Sequence, residues 1–182
     1  HVVARVSAVN GQEGAAALIE GTSDLLIIYH HPQLPVLLDP HRFPHLMLST
    51  DRMRPFSAPR DNGRARYTLP GKSDEPVPLH ADSSGTYLAH VVEMILLGAA
   101  ERCAFEHSFD THMAEALKEM IVEAHGLGWL PESCAGRELA DGLLVAAGPE
   151  RWSCPLEVRL YRSAESSNPT VEKIWSALLA AR

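Results

Sequence analysis

Ten histidines occur in 182 residues, and four of them crowd the stretch "HHPQLPVLLDPHRFPH" as His30, His31, His41 and His45. Zinc sites usually draw their ligands from helical or hairpin spacings. This stretch spreads its imidazoles over a proline-rich connection with Asp39 as its single carboxylate, so neither a metal nor another cofactor is expected. Covalent catalysis would need a serine on a Gly-x-Ser-x-Gly elbow, or a cysteine beside a histidine in an electropositive setting. Ser84-Gly85 is half an elbow. Cys103, Cys134 and Cys154 are an odd number without paired spacing, which suits neither a disulfide framework nor a zinc ribbon. Glu119 and Glu123 lie four apart on one helix face, a spacing that suits a solvated surface. There is no phosphate loop, and "GLG" lacks the third glycine and the preceding strand of a dinucleotide fingerprint. No enzyme is expected.

What remains suits binding. In open α/β sheets, small ligands settle beyond the carboxyl ends of strands, where helix N-termini offer unpaired N–H groups and a partial positive charge. Ser83, Ser84 and Thr86 open one helix after the strand "VPLH". Phe109, Asp110 and Thr111 open another after "CAFEHS", and Tyr29 and His30 end the strand "SDLLIIYH". The hydroxyls suit plain helix capping as well, and Tyr29 and Phe109 suit a core.

The elements that must hold these residues are readable in order. "VVARVSAV" from Val2 is β-rich, "GQEGAAALIEG" has helical composition with a glycine stop, and "SDLLIIYH" is an apolar run of strand length. Strand, helix and strand make a parallel crossover unit whose strands are buried on both faces, so the class is α/β. Pro32 to Pro44 is a connection, because each proline removes a donor and restricts its predecessor. "HLMLST" is a strand, and the arginine-rich passage after it reads as loop with one short element near Tyr67. A strand at Val77 to His80 leads into a helix capped by Ser83 or Ser84, with Leu88, Val91, Val92, Ile95 and Leu96 on its core face. "RCAFEHSF" alternates like a strand. Asp110 or Thr111 caps a third helix, which carries Met113, Leu117, Met120, Ile121 and Ala124 on its apolar side.

Gly126 is placed to end that helix in the left-handed conformation, and Gly128 to turn the chain into a short strand at Trp129 and Leu130 that Pro131 stops. A helix from Glu132 to Leu139, the turn Asp141-Gly142 and the strand "LLVAA" follow. Pro155 to Arg162 alternates as a strand. "NPTVEKIWSALLAAR" is an amphipathic helix with Val171, Ile174, Trp175, Leu178 and Leu179 on one side.

The formal charge of −7 and pI near 5.8 make these residues a poor surface for nucleic-acid phosphates. No apolar run approaches the roughly 20 residues of a membrane span, and "HVVARVSAVN" lacks the basic flank and apolar core of a signal peptide. A cytoplasmic protein without membrane contact is expected. Arg5, Arg64 and Arg66 could neutralise an anion, though solvated arginines read the same way. The helix from Gln12 to Glu20, with Ala15, Ala16, Ala17, Leu18 and Ile19, suits burial against a partner or inside one lobe.

The order "ALIEGTSDLLIIY", proline-rich crossing, "SSGTYLAHVV", "ALKEMIVEAHGLGWLPE", "ELADGLLV" and "NPTVEKIWSALL" resembles the effector-binding domain of LysR-type transcriptional regulators over nearly the whole chain. "AHGLGWLP" and "EG-x-SDL" are the most specific parts, and the sub-pattern is similar to the hypochlorite-responsive branch. The resemblance implies a two-lobed, type 2 periplasmic-binding-protein-like fold, each lobe a sheet flanked by helices, the two joined by crossing strands around an effector cleft. Lobe one would be residues 1–45 and 152–182, and lobe two residues 46–151. The family's first strand and helix would fall outside this sequence, and with them a hydroxyl that commonly contributes to the effector site.

The implied partners are a small-molecule effector, further copies in an antiparallel homodimer or a higher homo-oligomer, and DNA through a winged helix-turn-helix domain that these residues do not include. Carried over position by position, Ser83, Ser84, Thr86, Phe109 and Thr111 face the cleft from lobe two, and Tyr29 and His30 from lobe one. The hypochlorite branch implies a methionine trigger at Met113, for which core packing is the alternative. Leu88 stands where a further methionine would suit that idea. A solute-binding protein that delivers a ligand to a transporter shares the architecture and is the competing reading.

Overall fold

A computed structural model gives the structure of residues 4–181. In chain order the elements are α1 (Gly11–Ile19), β1 (Leu25–His30), β2 (His45–Ser57), β3 (Val77–Asp82), α2 (Tyr87–Gly98), β4 (Phe105–Thr111), α3 (Ala114–Val122), β5 (Leu127–Pro131), α4 (Glu132–Ala140), β6 (Val145–Ala146), β7 (Cys154–Arg162) and α5 (Pro169–Ala180). The chain divides into two compact units. One holds the stretch up to Thr50 and the stretch from Glu157 onward; the other is Asp51–Leu156. It passes between them twice, inside β2 and inside β7.

In the first unit β7 lies between β1 and β2. The β1–β7 ladder is antiparallel, pairing Leu26 with Tyr161, Ile28 with Arg159 and His30 with Glu157. Paired residues share a face, so apolar positions split into two layers. Tyr161 packs with Leu18, Leu38 and Phe43 on one side, and Leu160 packs with Leu46 and Trp175 on the other. Asn10 caps α1 by accepting from the Glu13 amide at 2.9 Å. Asn168 does the same for α5 with the Thr170 amide at 3.0 Å.

Two expectations fail in this unit. Ala4 to Asn10 form no strand, while Val2 and Val3 lie outside the described residues. β1 is not a parallel strand buried on both faces: its ladder is antiparallel and Ile27 is 62% exposed.

In the second unit the order is β2-β5-β3-β4, with β6 also on β2. β2 continues through Ser57 where a loop was expected after Thr50. Pro55 sits in the ladder opposite Trp129, and its carbonyl accepts from the Ala147 amide at 2.9 Å. Two of the arginines that read as loop are paired, Arg54 with Glu132 at 2.6 Å and Arg52 with Glu150. Met53 and Phe56 point into the core, fully buried. "LLVAA" yields only the two-residue β6, although Leu144 is buried beside Phe56, Leu117, Ile121 and Leu130.

The helix starts also differ from expectation. Ser83 and Ser84 do not cap α2; a turn at Gly85, φ +89°, delays the helix so that Thr86 Oγ1 accepts from the Ala89 amide at 3.1 Å. Neither Asp110 nor Thr111 caps α3, because β4 runs on through Thr111 and Met113 takes the N-cap position with no side-chain cap. Met113 is therefore not on the apolar side of α3 but 65% exposed.

The left-handed residue after α3 is Ala124, φ 61°, and not Gly126. The two glycines serve clearance instead. A Cβ on Gly126 would stand 2.6 Å from the Pro78 carbonyl oxygen and 2.8 Å from His80 Nε2. One on Gly128 would stand 2.8 Å from the His80 carbonyl oxygen and from Ile121 Cδ1. β5 can thus lie parallel to β3, Leu127 opposite Leu79.

Gly128→Ala is expected to lower stability by about 1–3 kcal/mol, the usual range for overpacking a core. Gly136→Ala, in α4 with nothing within 4 Å of the added Cβ, should be neutral or stabilising by roughly 0.5–1 kcal/mol. Urea unfolding of both variants checks this; equal midpoints would contradict it.

Candidate functional site

β3 and β4 are parallel and end side by side, Asp82 opposite Thr111. The Ser83 amide donates to the Thr111 carbonyl at 2.8 Å, and the Thr86 amide to the Ser83 carbonyl at 3.3 Å. This closes the turn that starts α2. Thr111 Oγ1 accepts from the Met113 amide at 3.1 Å and holds the start of α3 beside it. Two strand ends therefore deliver two helix starts to one place, the arrangement in which helix amides and hydroxyls can face a small ligand. Ser83, Thr86, Phe109 and Thr111 are partly buried there, and Ser84 and Met113 are exposed.

Asp82, His80 and Ser108 join this group, and the sequence reading missed all three. Burial pushes the Asp82 carboxyl up to about 6, and the nearby His112 works against the rise. His80, 2% exposed, has Nδ1 3.1 Å from Ser108 Oγ and its ring edge-on to Phe109 at 5.8 Å. Burial, followed by the charge of His125, lowers its imidazole below the ordinary histidine range, with the His125 backbone offsetting part of the shift. A signal existed in "LHAD": two polar residues share one face at the end of a strand that otherwise reads as buried.

Tyr29 and His30 lie in the other unit, and alternation along β1 sends them to opposite faces. His30 is 8% exposed and its Nδ1 has no hydrogen-bond partner. Its imidazole is lowered mainly by burial and then by Arg159, with Glu157 opposing. A cavity of about 370 Å³ in the same unit is lined by Glu20, Asp24, Arg42, Ser163 and Asn168, among others, and by none of the expected residues.

Among the described residues, no three His, Cys, Asp or Glu side chains gather as a metal site. No described helix is long and apolar enough to cross a membrane. Burial raises all three thiols, Cys103 to about 11, so none is poised as a thiolate.

A family model described as the LysR substrate-binding domain matches residues 1–182. The HTH-type transcriptional regulator YjiE of Escherichia coli K12 is 28% identical over 173 residues, which are 95% of this chain and 54% of that protein. The chain thus spans about half the length of this relative. The regulatory domain of HypT from Salmonella typhimurium, in its apo form, superposes with a TM-score of 0.83 at 28% identity, covering 97% of this chain and 80% of that one. Full-length HypT, described as a hypochlorite-specific LysR-type regulator, gives 0.82 at 28% identity over 96% of this chain and 57% of its own.

Asp82 sets a pH dependence whose sign is fixed. Between the ordinary value of 3.8 and about 6 the folded chain keeps a proton that the unfolded chain has lost. Stability therefore falls as pH rises through that window, by on the order of 2 to 3 kcal/mol. His30 and His80 act in the opposite sense, since their lowered values remove stability as pH falls below 6.5. Subtracting Asp82→Asn isolates the carboxyl: the unfolding free energy of the wild type minus that of the variant should decline from pH 4 to 7 in denaturant titrations. A flat difference would contradict the burial of Asp82.

Proposed function

The chain belongs to the LysR substrate-binding domain family, and from that premise we propose that it is the effector-sensing part of a LysR-type transcription regulator. The observation that carries the reading is the junction of β3, β4, α2 and α3, which brings Ser83, Ser84, Thr86 and Thr111 to the strand ends that also carry the partly buried Asp82. A ligand there takes hydrogen bonds from hydroxyls and helix amides, with Phe109 as an apolar wall. Tyr29 and His30 are proposed as further effector contacts. The division of the chain at residues 50 and 156 supports reading residues 1–45 with 152–182 as lobe one and 46–151 as lobe two. The regulator acts without catalysis, in the cytoplasm, as a homodimer. It binds DNA through an N-terminal winged helix-turn-helix that these residues do not include.

A second reading has its own observation. Met113 is 65% exposed at the start of α3, its amide bonded to Thr111 Oγ1, and full-length HypT is described as hypochlorite-specific. An accessible thioether is oxidised to a polar sulfoxide. At this position the change would alter the helix start that the effector contacts share.

Thermal unfolding against small carboxylates, amino acids and aromatic acids tests the first reading, because a ligand of the folded state raises the midpoint saturably. At about 100 times its dissociation constant the gain is about 2.7 kcal/mol, or roughly 5–10 °C for a chain of this size. The shift should vanish in Ser84→Ala and Thr111→Ala. Peptide mass mapping after limiting hypochlorite tests the second, with Met113 oxidised ahead of the less exposed Met47. No shift with any ligand, together with no oxidation at Met113, would overturn both.

A further inference from the structure

The β3–β4 ladder changes register once. Val77, Pro78 and Leu79 face Phe105, Glu106 and His107, but His80, Ala81 and Asp82 face Phe109, Asp110 and Thr111. Ser108 is the extra residue, a bulge in a parallel pair. Bulges of this kind re-aim side chains and gather next to functional sites.

The bulge is held from below. Ser108 Oγ lies 3.1 Å from His80 Nδ1 and 3.3 Å from the Leu79 carbonyl oxygen. Both contacts form at once when Nδ1–H donates to the hydroxyl and the hydroxyl donates to Leu79. The ring itself cannot drift. Its Nε2 edge packs where Gly126 has no Cβ, and Phe109 meets it edge-on.

A continuous register would give a different site. His80 would face Ser108, Ala81 would face Phe109, and Asp82 would face Asp110. Paired residues of neighbouring strands share a face, so a one-residue slip sends Phe109 and Thr111 to the opposite side of the sheet. It would also set two carboxylates side by side, which is destabilising. The bulge instead puts Thr111 beside Asp82 and its carbonyl at the Ser83 amide, and it aligns Phe109 with His80.

We propose that Ser108 and His80 are positioning residues of the effector site, a latch that sets the register in which β4 delivers Phe109 and Thr111 to the start of α2. Its functional meaning rests on the effector reading given above, but its structural content does not need a ligand.

Amide exchange on the whole 182-residue chain tests it. The reporter is the Ser83 amide, bonded to Thr111, and the control is the Ala147 amide, bonded to Pro55 in the same unit. Ser108→Ala should speed Ser83 exchange roughly fivefold or more, as expected for a lost hydrogen bond of about 1 kcal/mol, while Ala147 stays unchanged. Ser108→Thr, which keeps the hydroxyl, should restore the wild-type rate. His80→Phe should reproduce the Ser108→Ala effect, and the double variant should add nothing to it, as for two parts of one interaction. Unchanged Ser83 exchange in Ser108→Ala, failure of the threonine to rescue, or equal acceleration of Ser83 and Ala147 would each overturn the latch. Because no ligand enters, a fast Ser83 amide alongside a failed ligand screen would defeat the effector reading and leave the register claim standing.

Discussion

The second unit depends on a buried imidazole having room on the side where a neighbouring strand carries no side chains. His80 sits on β3 between β5 and β4 at 2% exposure, and β5 can pass it only because residues 126 and 128 are glycine. Every strand of the parallel set touches this point. β4 supplies Ser108 and Phe109 to the ring, β5 supplies the clearance, and β3 carries the histidine itself. Since close-packed interiors yield little to an added carbon, the register of three strands is set together. The helix starts that follow β3 and β4 inherit their positions from it.

The charges of this unit fall into two kinds. Lys118 is buried between α3 and α4, with Glu115 at 2.8 Å and Glu138 at 3.1 Å, and it donates to the Cys134 carbonyl at 3.3 Å. It is surrounded by partners and fastens two helices. For Asp82 burial is the largest influence and lifts its carboxyl to about 6, with His112 opposing. The Asp82 carboxyl therefore changes charge near pH 6, at strand ends that also carry Ser83, Ser84, Thr86 and Thr111.

Much of this is legible in the sequence, and the rest is hidden from it for physical reasons. Amphipathic helices carry their period in composition, so α1, α2, α3 and α5 lie within a few residues of the expected spans. The motif "AHGLGWLP" marked the corner, but its glycines answer to neighbours distant in sequence: what Gly126 must avoid is Pro78 and His80. β2 runs past its expected end because Pro55 and two arginines read as loop, when Arg52 and Arg54 are paired with glutamates far along the chain. The caps of α2 and α3 lie a few residues beyond the expected ones. Gly85 moves the cap of α2 to Thr86, and the bulge at Ser108 lengthens β4 past the expected cap of α3. Asp82 escaped notice because a carboxylate at a strand end gains meaning only when its burial is known.

The central claim is that the ends of β3 and β4 are where this domain meets its effector. The most direct measurement is an amide-resolved NMR titration with any compound that raises the thermal midpoint. The account predicts that the largest perturbations fall at residues 82–86 and 109–113 and saturate with a single affinity. Perturbations confined to the first-unit cavity around Asp24, Arg42 and Asn168, with residues 82–86 unmoved, would contradict it.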